Sequence, residues 1–296
     1  MLKGLLKEQI RSDPQIAGML TSYGGEPAFF YQKSPPDTDR AWHKPCYPRA
    51  DYNIDMRYDP ERKTAGTLTV NVWCSSDSLS MPEDIEKRLT EIIDGTFYTS
   101  DGDSVCAVWS RSDAFDFEKN LTGNRSMPEG VGATIEFDLL SFPCQLTTDP
   151  DPIQGAHIWT RKYFPAIGII TQEYLPPIWK PTDETPAIYW RFAGISADNR
   201  QSYALNWYTA QIAAHIIADS VTERNRWLKS IVERMQLDGE IVLPNGAPMF
   251  INQVQVRHGA DPLRDGQLQI SGQYPVRAAH RKEHAENILR NANFNG

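Results

Sequence analysis

Gly66-Thr67-Leu68-Thr69-Val70-Asn71-Val72-Trp73-Cys74 alternates in polarity. Leu68, Val70, Val72 and Cys74 share one face and Thr67, Thr69, Asn71 and Trp73 the other, which is the period of a half-buried strand. A helix is expected next. Ser80 and Glu83 fit a capping box, in which the hydroxyl accepts from the Glu83 amide and the carboxylate reaches back to the Ser80 amide. Pro82 is harmless in that first turn, whose amides have no helical partner. Ile85, Leu89, Ile92 and Ile93 then recur as one apolar stripe suited to a sheet, and Gly95 is a natural left-handed stop. Beyond it, residues 96–99 and 105–109 flank Asp101-Gly102, a hairpin signal.

The same order returns in residues 207–256. Tyr208, Ala210, Ile212 and Ala214 alternate, Ser220 and Glu223 repeat the cap, and Trp227, Leu228, Ile231 and Met235 make the stripe. Asp238-Gly239 closes the helix, and Asn245-Gly246 stands between residues 240–243 and 249–256 as Asp101-Gly102 does in the first copy. Ser220 follows Ser80 by 140 residues, Gly239 follows Gly95 by 144, and Gly246 follows Gly102 by 144. Agreement in both order and spacing predicts a tandem duplication of one α+β domain, each copy a mainly antiparallel sheet backed by helices. The competing explanation is a chance match of common parts.

Two domains also suit a chain of 296 residues. A composition of 40% hydrophobic and 23% charged residues fits a globular protein, and no apolar run approaches the roughly 20 residues of a membrane span. No membrane partner is expected, and Met1 to Leu6 lacks the length and cleavage site of a secretory signal, which points to a cytosol. Cys46, Cys74, Cys106 and Cys144 form no Cys-x-x-Cys motif and are expected as reduced, buried thiols. The net charge of −8 argues against wrapping nucleic acid, although an acidic lumen lets DNA pass without sticking.

Along the chain, short helices are expected on either side of Asp13-Pro14, then a strand at 28–32 and a proline-rich connection at 34–48. Residues 51–62 are charged and read as a solvated loop or an intersubunit surface. Ile135, Phe137 and Leu139 belong to a closing strand, and residues 268–274 close the second copy, with offsets of 132 or 133 both admissible. The expected division is a first domain at 1–145, a proline- and aromatic-rich connection at 146–185, a second copy at 186–276 and a helical arm at 277–296. Trp159, Tyr163, Phe164, Tyr174 and Trp179 in the connection are expected to pack on the domains or on a neighbouring subunit. Arg277, Arg281, Lys282 and Arg290 leave the arm, a helix over 277–290, at +2 against Glu283 and Glu286. These nine residues are the candidate partner-binding set.

Chemistry is harder to find. His280 and His284 are four apart and could share a helix face as metal ligands, yet no third ligand stands in a motif. His43 lies near Cys46 without an orienting carboxylate nearby in sequence. Asp101-Gly102-Asp103 lacks the rest of a calcium loop. No phosphate-binding or nucleophile motif occurs. Catalytic residues, cofactors and metals are therefore all expected to be none.

The first half, with its opening helices, proline-rich link, Ala65-Gly66-Thr67-Leu68-Thr69-Val70-Asn71-Val72-Trp73, helix and Asp94-Gly95-Thr96-Phe97-Tyr98, resembles phage tail terminator or tail completion proteins. The second half resembles the same domain in a more diverged form. That resemblance implies a non-catalytic virion protein, assembled in the host cytoplasm, whose hexameric ring caps the tail tube and joins it to the head. Its implied partners are other copies of itself, a tail tube protein and a head completion or connector protein. Members usually carry one such domain, so a duplicated chain leaves open a two-tier ring of six or three chains forming a pseudo-hexamer. Alternatives are another tail-tube or baseplate protein, or a cytosolic enzyme with a site between the domains around His215 or His157.

Overall fold

A computed structural model describes residues 2–43, 45–57, 64–100, 103–117, 130–145, 148–171, 175–197 and 205–277. The chain forms two units, one of Met1–Pro143 with Thr171–Lys180, the other of Cys144–Ile170 with Pro181–Gly296.

The first unit opens with helices α1 (Leu2–Ser12) and α2 (Pro14–Met19), which bury Leu6, Ile10 and Ile16. The short pair β1 (Ser22–Tyr23) and β2 (Glu26–Pro27) precedes β3 (Phe29–Tyr31), β4 (Arg49–Met56) and β5 (Thr64–Ser75). Helix α3 (Pro82–Ile93) crosses to β6 (Thr96–Ser100), β7 (Asp103–Phe117) and β8 (Gly130–Phe142). The second unit begins with α4 (Pro152–Tyr163) and β9 (Gly168–Ile169). The chain then supplies β10 (Ile178–Trp179) to the first unit. The second unit resumes with β11 (Ala187–Ala197), β12 (Leu205–Ile217), α5 (Val221–Asp238), β13 (Glu240–Val242), β14 (Pro248–Val256) and β15 (Leu268–Arg277).

The sheets run β10-β6-β7-β8-β5-β4-β3 and β13-β14-β15-β12-β11-β9. Apart from β10 the orders correspond strand for strand, with α3 and α5 in equivalent crossovers. Each sheet has one parallel pair, β3 on β4 and β9 on β11, and antiparallel neighbours elsewhere. The long hairpins also share a bulge, between Trp109 and Arg111 in β7 and between Ile251 and Gln253 in β14. Aligning these bulges places Ala210, Ile212, Ala214 and Ile216 on Leu68, Val70, Val72 and Cys74, and Leu268, Ile270, Gly272 and Tyr274 on Ala133, Ile135, Phe137 and Leu139. All sixteen residues are buried. The closing strands therefore align through Ile270 and Ile135, which replaces the offsets of 132 and 133. Side-chain size is exchanged between neighbouring positions in this core. Phe137 and Ala107 of the first unit become Gly272 and Met249 in the second, and a Cβ on Gly272 would lie 2.7 Å from Met249 Cγ.

The helix ends follow local chemistry. Gly239 closes α5 at φ 66 and Gly95 lies beyond α3 at φ 71, both in the left-handed region that glycine occupies without a Cβ clash. The two capping boxes do not form as expected. Helix α3 is capped by Met81 with no side-chain hydrogen bond, because Ser80 falls one residue too early; Glu83 and Asp84 in the first turn complement the helix dipole instead. At α5 the Ser220 hydroxyl does accept the Glu223 amide at 3.1 Å, but the Ser220 amide donates to Asp183 Oδ1 at 2.7 Å. Glu223 pairs with Arg226 at 2.6 Å.

Residues 146–185 do not form a separate connection. Asp151 caps α4 and Pro152 occupies its first turn, as Asp13 and Pro14 do for α2. Ile153, Ala156 and Trp159 of α4 and Ile167 and Ile169 around β9 belong to the second core. Residues 51–56 are likewise not a loop. In β4, Ala50 and Tyr52 point into the first core, while Asp51 faces outward.

Candidate functional site

The outer face of the first sheet, opposite its helices, carries a polar ladder across four strands. The Asp51 carboxylate of β4 accepts the Asn71 amide at 3.0 Å through Oδ1 and the Trp73 indole N–H at 2.8 Å through Oδ2. Thr134 of β8 donates to Asn71 Oδ1 at 2.9 Å. Farther across, Arg111 of β7 makes a two-pronged pair with Glu136 at 2.8 and 3.0 Å. Hydrogen bonding to Arg111 holds the Glu136 carboxyl below its ordinary range. Phe115 and Phe117 close one end of the ladder against Trp73, with centroids 4.9 and 5.1 Å away, and lie over Gly132 and Gly130. Tyr47 stacks on Phe117 at 5.7 Å. Cross-strand links fix the side chains in advance, so another surface meeting them encounters an ordered array. The array was visible in sequence as Thr69, Asn71 and Trp73 on the second face of the opening strand, but Asp51 and the long-range partners were not.

The aromatic candidates are placed differently. Trp159 is buried, and its indole donates to Asp238 Oδ2 at 2.8 Å. Tyr163 and Phe164 lie 5.5 Å from its ring, and Arg234 stacks 3.8 Å from the Tyr163 centroid. Burial raises the Asp238 pKa, but hydrogen bonds from Arg234 and Trp159 outweigh it, leaving the carboxyl below its usual range. Trp159, Tyr163 and Phe164 thus join α4 to α5 as packing residues. Trp179 stacks on Phe97 at 5.1 Å within the first unit. Arg277 ends β15 and does not begin a helix. Tyr174, Arg281, Lys282 and Arg290, with the rest of the expected arm, lie outside the described residues.

The thiols and imidazoles take mainly structural positions. Cys74 and Cys106 are buried, and burial raises the Cys74 pKa to about 12. Cys46 is only half-buried and Cys144 is exposed, so burial does not extend to all four. His215 is fully buried on β12, with Nδ1 2.9 Å from the Pro262 carbonyl oxygen and its ring edge-on to Tyr189. That contact places it under the loop before β15. Burial lowers the His157 pKa to about 4, so it is neutral at pH 7. His280 and His284 lie outside the described residues.

Among the described residues, no group of three or more His, Cys, Asp or Glu side chains is placed to hold a metal ion. No helix among them is long and apolar enough to cross a membrane. Comparison with protein-family models, with curated proteins and with solved structures finds no match to this chain.

Proposed function

We propose that this chain is a structural virion protein of the tail terminator or neck type, acting in a ring that caps the tail tube and joins it to the head. The observation that carries this reading is the repeated connectivity of the two sheets. A chain with two equivalent domains presents related surfaces twice. Three chains can then close a ring with six domains, or six chains can close one with two tiers, through repeated heterologous contacts.

The remaining features fit that use. The ordered outer ladder of the first sheet offers a rigid surface for a neighbouring subunit, tube protein or head completion protein. A net charge of −8 suits a lumen through which DNA slides without sticking. The enclosed setting of His215 favours a packing role over catalysis. Assembly would take place in the host cytoplasm and end in the virion.

The test is the mass and shape of the purified protein, by light scattering and negative-stain imaging over a range of concentrations. Discrete rings of three or six chains support the proposal and give the stoichiometry. Long polymers transfer it to a tube or baseplate role, and a monomer at every concentration overturns self-assembly.

A further inference from the structure

The two sheets share their connectivity but not the chemistry of their outer faces. Residues directly opposite one another in neighbouring strands lie on the same face, so the strand pairing orders each outer face in rows. On the first sheet the rows from Asp51 to Asp55 cross β4, β5, β8 and β7 and carry Asp51, Asp55, Asp113, Glu136 and Asp138. Only two cations stand with them among the described residues: Arg111, which holds Glu136, and Arg57, which pairs with Asp55 at the rim. This face is carboxylate-rich.

The same rows of the second sheet, across β11, β12, β15 and β14, hold no carboxylate. Alignment of the two units puts Arg191 in the place of Asp51, so a cation replaces an acid at one register position. Gln211, Gln253, Gln255, Gln269 and Gln273 fill the same rows with amides, Gln255 in the place of Asp113 and Gln273 in that of Asp138. At the rim, Arg257 and Arg277 outnumber Glu240. Arg191 is half-buried, its Nε has no hydrogen-bond partner among the described residues, and no described carboxylate pairs with it. Its charge is left for water or a partner to meet.

We propose that copies of this chain associate head to tail, the carboxylate face of the first sheet of one copy lying on the arginine and glutamine face of the second sheet of the next. The inference rests on the self-assembly reading above and names the two surfaces that meet. Charge selects the pairing. Two first faces would set carboxylates against carboxylates, and two second faces would set Arg191 against a like charge. A first face on a second face brings carboxylate acceptors to a guanidinium and to amide donors. Such a contact joins two different surfaces, so it repeats from copy to copy and closes a ring where the rotation allows. The bonds that hold Asp51 and Glu136 across their strands fix both acids beforehand, which lowers the cost of ordering them on contact.

Charge reversal in the full-length chain tests the assignment, with association followed by light scattering over a dilution series. Asp55 and Asp113 are exposed and lie outside the bonds of Asp51, so Asp55→Lys/Asp113→Lys reverses the first face, and Arg191→Glu reverses the second. Each variant alone should associate about a hundredfold more weakly than the parent, or less. An equimolar mixture of the two should restore association, because each keeps one parental face and the two reversed faces match each other. Restoration would also show that both variants fold. Gln253→Glu/Gln255→Glu, at exposed positions of the second face, should weaken association in the same direction without touching Arg191. A parent that assembles while every variant assembles equally well would overturn the face assignment and leave self-assembly standing. Weakened variants that mixing does not restore would overturn it too. A parent that stays monomeric at every concentration would overturn both.

Discussion

The carboxylate of Asp51 lies 2.8 Å from the indole nitrogen of Trp73, joining two neighbouring strands on the outer face of the first sheet. It also holds Asn71, so one side chain serves two donors. Asp51→Ala leaves both donors without that acceptor. The loss should be about 1–3 kcal/mol in urea unfolding, together with a change in Trp73 fluorescence. A variant as stable as the parent would show that water replaces the carboxylate at no net cost.

Leu89 is fully buried in the stripe of α3 that packs on the first sheet. Leu89→Ala should lower stability by about 2–5 kcal/mol, through lost transfer energy and the cavity left behind. Leu89→Asp places a charge in the same site and should abolish soluble expression. Normal soluble yield of the aspartate variant would contradict the packing described.

His157 gives the second unit an acid-sensitive element. Its folded pKa of about 4 lies below the ordinary value of 6.5 because burial disfavours the imidazolium. As pH falls from about 6.5 towards 4, the unfolded chain takes up a proton that the folded chain does not, so stability declines across that window. The upper bound is about 3 kcal/mol at 1.36 kcal/mol per unit. Paired carboxylates such as Asp13 and Glu136 add their own loss at lower pH, so the useful quantity is a difference. His157→Gln should flatten the stability profile between pH 6.5 and 4 relative to the parent, measured by urea unfolding at each pH. Parallel profiles would show that the imidazole protonates freely in the folded state.

Legibility in the sequence followed the physics of each element. The strand at 66–74 and both hairpins were readable because alternation and turn residues are local. Helix α4 was not legible although Asp151-Pro152 carries the same start signal as Asp13-Pro14, because the flanking prolines and Gly155, poor helix formers, obscure the spacing of Ile153, Ala156 and Trp159. Strand β4 was hidden because its charges face outward, where Asp51 is satisfied by residues about twenty positions away. Trp159 was expected to pack on the domains or on a neighbouring subunit; its place in the second core was not legible for the same reason, since the donor–acceptor pair with Asp238 spans 79 residues. The polar ladder was half legible, as one face of one strand.

The exchanged pair Met249 and Gly272 offers a test of the alignment between the two units. Gly272 has no Cβ because Met249 fills the space, whereas the first unit places Ala107 and Phe137 at the matching positions. Gly272→Ala alone forces the methionine aside and should cost about 1–3 kcal/mol, while Met249→Ala alone opens a cavity at about 2–5 kcal/mol. Because both changes act on one volume, the double variant should lose less than the sum, with a coupling of about 0.5–3 kcal/mol in a double-mutant cycle. Additive losses would show that the two side chains do not share the space, and the exchange of sizes between the cores would then need another cause.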